Sequence, residues 1–404
     1  MKLFGQPNLA VHRKAPMLAM AAGLGLLVTV NPAFAQIWVS NGVSDSGWQG
    51  VASSADGNVL VAVHGNYGPI CSSTNSGVTW STNNAPDYAW ISVASSADGT
   101  KLAAVGFDGP YNAVVYVSTN TGASWSLAAA PPGAQSYAIA SSADGARLVL
   151  ASWNNQIQIS TNSGATWTGT GSADQYTTVA CSADGTKLVA AGWNSSAIYT
   201  STDSGATWTR HDVPYNSWWS SACSADGTKM VVVGRGCPIY LSSNAGDTWT
   251  EVTNAPQAEW LSVLMSGDGN KIVAWDGSDY LIYVSTNYGT TWTSNSPSID
   301  WPYFQACLTA SADGNKLVAA SDFGAIYTAW SPPSPRLDIA SSGMDLNLSW
   351  LVPSTNMVLQ QKSDLITTNW SELTNRPVLN LTNLQEQVFL PPPSGSACYR
   401  LISK

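Results

Sequence analysis

An all-β fold assembled from one repeated unit is what this sequence predicts, and three observations carry the prediction. The tripeptide Ala/Gly-Asp-Gly recurs seven times, with its acid at Asp56, Asp98, Asp144, Asp184, Asp226, Asp268 and Asp313. The intervals are 42, 46, 40, 42, 42 and 45 residues, room for about four short strands and their turns. Only 10% of the residues are charged, while 34 are Gly and 19 are Trp. That composition suits many short strands joined by polar turns better than it suits helices.

Within a repeat, each Asp-Gly turn is followed by an apolar strand such as KLVAAGW (187–193), then a second such as AIYTS (197–201). An eight-residue box follows: STNSGVTW (73–80), STNTGASW (118–125), STNSGATW (160–167), STDSGATW (201–208), SSNAGDTW (242–249) and STNYGTTW (285–292). A polar segment with an aromatic then leads into the next strand, as in WISVASSADG (90–99). Seven turns and four strands per repeat predict a seven-bladed β-propeller over residues 36–330. The seventh repeat ends in AIYTAWSPPSP without a box. Its missing outer strand stands at the other end of the chain. Trp38 precedes Trp48 by ten residues, as Trp80 precedes Trp90 and Trp208 precedes Trp218. The segment QIWVS (36–40) is therefore predicted to complete the last blade, closing the ring and leaving no unpaired edge.

The flanks differ in character. Lys2, His12, Arg13 and Lys14 precede an apolar run over 15–30, and Ala33 and Ala35 fit a small-residue cleavage site. Residues 1–35 thus read as a signal peptide, the run being short for a span of about 20 residues. No second apolar run follows. The product is expected to be secreted, extracellular or periplasmic, with no membrane insertion. At the other end, SPPSP (331–335) is a linker signature. Residues 336–404 alternate strands and turns and are expected to form a small β-sandwich, similar to the fibronectin-like modules that close many secreted bacterial proteins.

Charge and cysteine narrow the function classes. A net charge of −9 argues against nucleic acid, whose phosphates require a basic surface. Cys71, Cys181, Cys223, Cys237, Cys307 and Cys398 show no CxxC or other metal spacing, so neither metal nor cofactor is expected. Buried free thiols are predicted, with room for one pairing.

The box Ser-x-Asp-x-Gly-x-Thr-Trp resembles the Asp-box of the BNR, or sialidase-like, repeat families. Those families also include xyloglucanase-type glycosidases and photosystem-assembly-type propellers. The resemblance covers residues 36–330 and implies the propeller fold, but not an activity. Its third position is Asn in five copies and Asp only at Asp203. A turn-capping role tolerates that exchange and an ionisable catalytic role does not, so the boxes are read as architecture. Sialidase chemistry, as the resemblance defines it, needs an Arg triad. The propeller region offers only Arg147, Arg210 and Arg235, and Arg147 follows a turn acid.

If the Asp-Gly turns and the boxes share one face, the variable loops share the other, where function is expected. Eight residues before the turn acid stand Trp48, Trp90, Tyr176, Trp218 and Trp260, with Tyr137 one place out of register. Loops after the second strand add Tyr67, Phe107, Trp153, Trp193, Trp275 and Phe323. Two roles are open to the first set, packing between blades or stacking on a ligand. The ligand-binding candidates are Tyr67, Trp90, Phe107, Trp153, Trp193, Trp218, Trp260, Trp275 and Phe323, facing a glycan or polypeptide partner. The preferred function is a non-catalytic binding or scaffold protein. The alternative is a glycoside hydrolase or lyase using two of Asp108, Glu259, Asp276, Asp279, Asp300 and Asp322, with His64 as a further ionisable loop residue. An assembly factor of the photosystem type is a third reading.

Overall fold

The computed structural model describes residues 37–41, 47–109, 112–129, 135–215, 217–294, 306–321, 325–330, 338–342, 345–351, 357–362, 371–373, 377–380, 385–391 and 398–403. The predicted signal peptide, the linker, and the candidates Asp300, Asp322 and Phe323 lie outside them. Among the described residues all helix- or strand-type structure is β-strand, paired antiparallel throughout.

Each repeat folds on itself. The first gives a four-stranded sheet from Trp48–Ser53, Leu60–His64, Ile70–Ser73 and Ser81–Thr82, hydrogen-bonded in chain order. The second, fifth and sixth repeats give the same sheet. The third and fourth are joined, because Thr168–Cys181 runs from the outer edge of one into the inner strand of the other. In the last repeat Ile37–Ser40 pairs with Ile326–Trp330 in the register Ile37↔Trp330 to Ser40↔Tyr327. That sheet therefore takes its outer strand from the N-terminal end of the described chain.

The reason these strands stack is visible in the cores between sheets. Box tryptophans each occupy one apolar cluster, Trp125 between the first and second sheets and Trp208 between the third and fourth. Trp38 takes the corresponding place beside Leu317, Ala319 and Ala329. Strand-start aromatics pack edge-on against a tyrosine of the third strand in their own repeat. These pairs are Trp90–Tyr116, Tyr176–Tyr199, Trp218–Tyr240 and Trp260–Tyr283, with centroids 5.4–5.6 Å apart.

The turns lock the inner strands together. The residue before each turn acid donates its N–H to the carbonyl of its counterpart in the next repeat. The chain of bonds runs Ala55→Ala97→Ala143→Ala183→Ala225→Gly267→Ala312 and back to Ala55, at 2.6–2.8 Å. Lysines three residues after the acid reinforce the seams: Lys101 Nζ donates to the Asp144 carbonyl at 2.8 Å and Lys229 Nζ to that of Asp268 at 3.1 Å.

The boxes behave as capped turns. In the odd copy, Asp203 Oδ1 accepts from the Thr207 N–H at 2.9 Å and Oδ2 from its hydroxyl at 2.6 Å. Asn75 makes the same pair of links, Oδ1 accepting from Thr79 N–H and Nδ2 donating to its hydroxyl. Gly205 is left-handed at φ 83°, and a Cβ there would lie 2.1 Å from Ile159 Cδ1. The hydroxyl and N–H of Thr207 and the hydroxyl of Ser201 hold the Asp203 carboxyl down at about 2. A depressed carboxyl stabilises the fold above its unfolded value near 4 and loses that contribution as pH falls toward 2. Asp203→Asn is accordingly expected to leave the thermal midpoint unchanged at pH 7. Between pH 4 and 2 the wild type should lose more of its midpoint than the variant, as thermal melts across that range would show.

Residues beyond 337 form two further sheets. One orders Asp338–Ser342, Asp345–Leu351, Gln385–Leu390 and Val378–Asn380; the other orders Ser371–Glu372, Met357–Lys362 and Cys398–Ser403. Leu348, Trp350, Val388 and Leu390 of the first share a buried cluster with Leu359 of the second.

Candidate binding site at the channel mouth

Six of the inner strands carry a β-bulge at the same place, seven residues before the turn acid. The register shifts between Trp48 and Gly50, Trp90 and Ser92, Ser136 and Ala138, Tyr176 and Thr178, Trp218 and Ser220, and Trp260 and Ser262. A bulge adds one residue and re-aims its side chain. The residues so placed are Gln49, Ile91, Tyr137, Thr177, Trp219 and Leu261, and all six line one cavity of about 540 Å³. The inner strands of successive repeats meet around this cavity, which makes it the mouth of the central channel.

A chain of aromatic rings borders it. Phe107 to Tyr137 is 6.3 Å between centroids, Tyr137 to Trp153 is 5.5 Å, Trp153 to Trp193 is 6.3 Å and Trp193 to Trp219 is 5.6 Å. The rings are inclined to one another by 47–75°, so they form a curved wall rather than a flat platform. Trp193 remains 40% exposed. At the end of the row Arg235 lies 6.0 Å over Trp219 and pairs with Glu259 at 3.1 Å. The other lining residues are aliphatic or hydroxylic, including Ser92, Thr178, Ser220 and Ser262, together with Cys307. No described lining residue carries a charge.

The sequence-predicted aromatics divide sharply. Phe107, Trp153 and Trp193 join the row. Tyr67 is 58% exposed in a left-handed turn and does not line the cavity. Trp90, Trp218 and Trp260 are at most 1% exposed, and Trp275 only 2%. These four present no ring to a ligand, which corrects their assignment. The first three sit one residue before the bulge and point between sheets. Trp275 pairs with Ser262 inside its strand, two places before the position at which Trp193 leaves its own. Tyr137, read from the sequence as one place out of register with stacking on a ligand as one open role, lines the cavity, and so does Trp219, which sequence reasoning did not single out. Their shared position, seven residues before the acid, was the available signal.

The candidate acids among the described residues do not line the cavity. Asp108 is exposed and accepts from Asn112 Nδ2 at 2.5 Å. Asp279 is exposed on a turn. Asp276 is buried, its Oδ1 accepting from the Glu259 N–H at 3.1 Å and from the Ser278 N–H and hydroxyl at 2.8 and 2.6 Å. It holds the segment that carries Glu259. His64 is packed edge-on against Trp48 at 5.7 Å, with Nδ1 accepting from the Asn66 N–H. Among the described residues no cluster of three His, Cys, Asp or Glu is placed to hold a metal ion.

This architecture has solved counterparts. It is similar to YCF48 from Cyanidioschyzon merolae, at 15% identity and a TM-score of 0.56, over 73% of this chain and 99% of that one. A structure of YCF48 bound to D1 peptide matches at 15% identity and 0.56, over 74% and 97%. The chain has a β-propeller fold. The GH74 xyloglucanase from Xanthomonas campestris matches at 16% identity and 0.58, over 78% of this chain but only 59% of its own length. No family model and no curated protein sequence matches.

Proposed function

We propose that the chain is an exported, seven-bladed propeller of the Asp-box type, closed by its N-terminal strand and followed by a small β-sandwich. Seven inter-repeat hydrogen bonds returning to their start, and Ile37–Ser40 in the last sheet, support the ring. The protein acts as a non-catalytic binding module that seats an uncharged part of a polypeptide or glycan partner in the channel mouth. The observation that carries this reading is the row from Phe107 to Trp219 beside a hydroxyl-lined, uncharged cavity. Aromatic faces supply contact area at low entropic cost, and hydroxyls fix orientation. The cavity volume falls within the range of about 300–1,000 Å³ that small-ligand sites occupy.

A polypeptide partner is the first choice, since a structurally similar propeller is known with a peptide bound. Hydrolysis of a glycan would require two carboxylates flanking the bound sugar, and none stands in the described lining. The test is a glycan array and a peptide-library screen on the wild type, followed by Trp219→Ala and Trp193→Ala. Each variant is expected to weaken the selected ligand by about 2 kcal/mol, roughly thirtyfold, with the fold intact by circular dichroism. Binding that survives both substitutions undiminished would place the partner elsewhere.

A further inference from the structure

Three residues after the turn acid, six of the seven repeats carry a basic side chain: Lys101, Arg147, Lys187, Lys229, Lys271 and Lys316. What the lysines meet depends on the next repeat's turn, at the second residue after its acid. Opposite Ala146 and Thr228, Lys101 and Lys187 donate to the backbone carbonyls of Asp144 and Asp226. Where that place holds asparagine, the lysine reaches the side-chain oxygen. Lys316 Nζ stands 2.9 Å from Asn58 Oδ1, Lys229 Nζ 2.6 Å from Asn270 Oδ1, and Lys271 Nζ 3.4 Å from Asn315 Oδ1.

The seam between the last repeat and the first holds amine, amide and acid in a reactive order. Asn58 Nδ2 donates to Asp56 Oδ2 at 2.6 Å, while Asp56 Oδ1 accepts from the Ser54 hydroxyl at 2.6 Å and the Asn58 N–H at 2.9 Å. The carboxylate is fixed against the amide nitrogen and the amine against the amide oxygen. With a C=O bond of about 1.23 Å, Lys316 Nζ lies at most about 4.1 Å from Asn58 Cγ. Reacting atoms need roughly 3–3.5 Å, so a small side-chain shift suffices. Burial pulls the Lys316 ammonium below its usual range, against the opposing pull of the Asp56 and Asp313 carboxylates. The neutral, nucleophilic amine is thereby easier to reach. The other two pairs are less suited. Lys229 lies over the Tyr288 ring at 5.1 Å, a contact that favours its charged form, and Lys271 stands farther from its amide.

We infer that Lys316 and Asn58 join in a side-chain amide bond that ties the last repeat covalently to the first. Neutral Lys316 Nζ attacks Asn58 Cγ, and an N–C bond forms. One amine proton passes to Asp56 Oδ2 and from there to Asn58 Nδ2, which that oxygen already touches. The Cγ–Nδ2 bond breaks and ammonia leaves. Nothing is oxidised or reduced, and the three side chains supply every group the step requires. The link spans 258 residues of sequence. It therefore denies the unfolded chain a large share of its freedom and stabilises the closed form.

Threonine is the substitution the turn already accepts. Thr100, Thr186 and Thr228 occupy the place of Asn58 and bind their turn acids through N–H and hydroxyl. The experiment is peptide mapping by mass spectrometry of the folded full chain after incubation at neutral pH. The wild type is expected to yield a branched peptide joining residue 58 to residue 316, lighter by one ammonia than its two parts. Mapping is required because an N-terminal Gln36 would also lose ammonia on cyclising. Asn58→Thr and Lys316→Arg should yield no branched peptide, run more slowly than the wild type in denaturing electrophoresis, and melt at a lower temperature. Asp56→Asn should slow formation of the link about tenfold or more, with both joined residues still present. A wild type whose peptides at 58 and 316 are recovered unlinked overturns the proposal. A link that forms in Asp56→Asn at the wild-type rate overturns the part given to the acid.

Discussion

Gly234→Ala is expected to cost about 3 kcal/mol of stability or more and to abolish binding at the channel mouth, and Gly192→Ala should do the same. Both glycines lie in the second strand opposite a strand-start aromatic, in the register Gly234↔Trp218 and Gly192↔Tyr176. The carbonyl that precedes each aromatic folds over the glycine. A Cβ on Gly234 would stand 1.9 Å from Ser217 O, and one on Gly192 would stand 1.8 Å from Gln175 O. Backbone cannot retreat here as a flexible side chain can, because these carbonyls are in use. Ser217 O accepts the N–H of Arg235 at 3.1 Å, and Gln175 O accepts that of Trp193 at 3.0 Å. The bond that the methyl group disrupts sets the backbone of Trp193 in one case and, in the other, of Arg235, which lies over Trp219. Gly109→Ala is the control, since a Cβ there meets nothing within 4 Å. Urea unfolding and ligand titration should separate the three variants, and a wild-type Gly234→Ala would overturn this account of the bulge.

Removal of residues 37–41 should have the largest effect of any deletion of its size. It takes away the ladder from Ile37↔Trp330 to Ser40↔Tyr327 and the bond from Asn41 N–H to Ile326 O at 3.0 Å. It also empties the place of Trp38 in the cluster with Leu317 and Ala319. Truncating a core tryptophan alone costs about 3–5 kcal/mol, and Trp38, only partly buried, should lie at the low end in Trp38→Ala. The deletion adds the loss of the ladder and bares the edge of Ile326–Trp330. Exposed edges recruit other chains. The deleted form is therefore expected to unfold at lower urea than Trp38→Ala and to associate in size-exclusion chromatography. A monomer with an unchanged urea midpoint would sink the closure.

The turns, the boxes and the pairing of Trp38 were legible because they repeat, and a repeated error would have broken the count. Each turn acid does the same work, as when Asp184 Oδ1 accepts from the Ser182 hydroxyl and the Thr186 N–H. The site was harder to read, and one residue decided it. Trp218 and Trp219 are neighbours in sequence, yet the first is sealed between sheets and the second lines the mouth. Alternation along a strand says only that the two point apart. The bulge says which of them faces the channel, and a bulge leaves no mark in composition. Phe107, Trp153 and Trp193 were found because each stands at the end of the second strand, nine residues after its turn acid. Trp275 stops two places short, only seven residues after its turn acid, and is buried inside the strand.

The seven bonds that join the turns all run in one sense around the ring. Their N–H and C=O vectors lie along its circumference, head to tail, and so cancel across its diameter. A helix adds its peptide dipoles along one axis and ends in a partial charge. This ring adds them to nothing. The end of the channel that they encircle therefore gains no net dipole from these seven links.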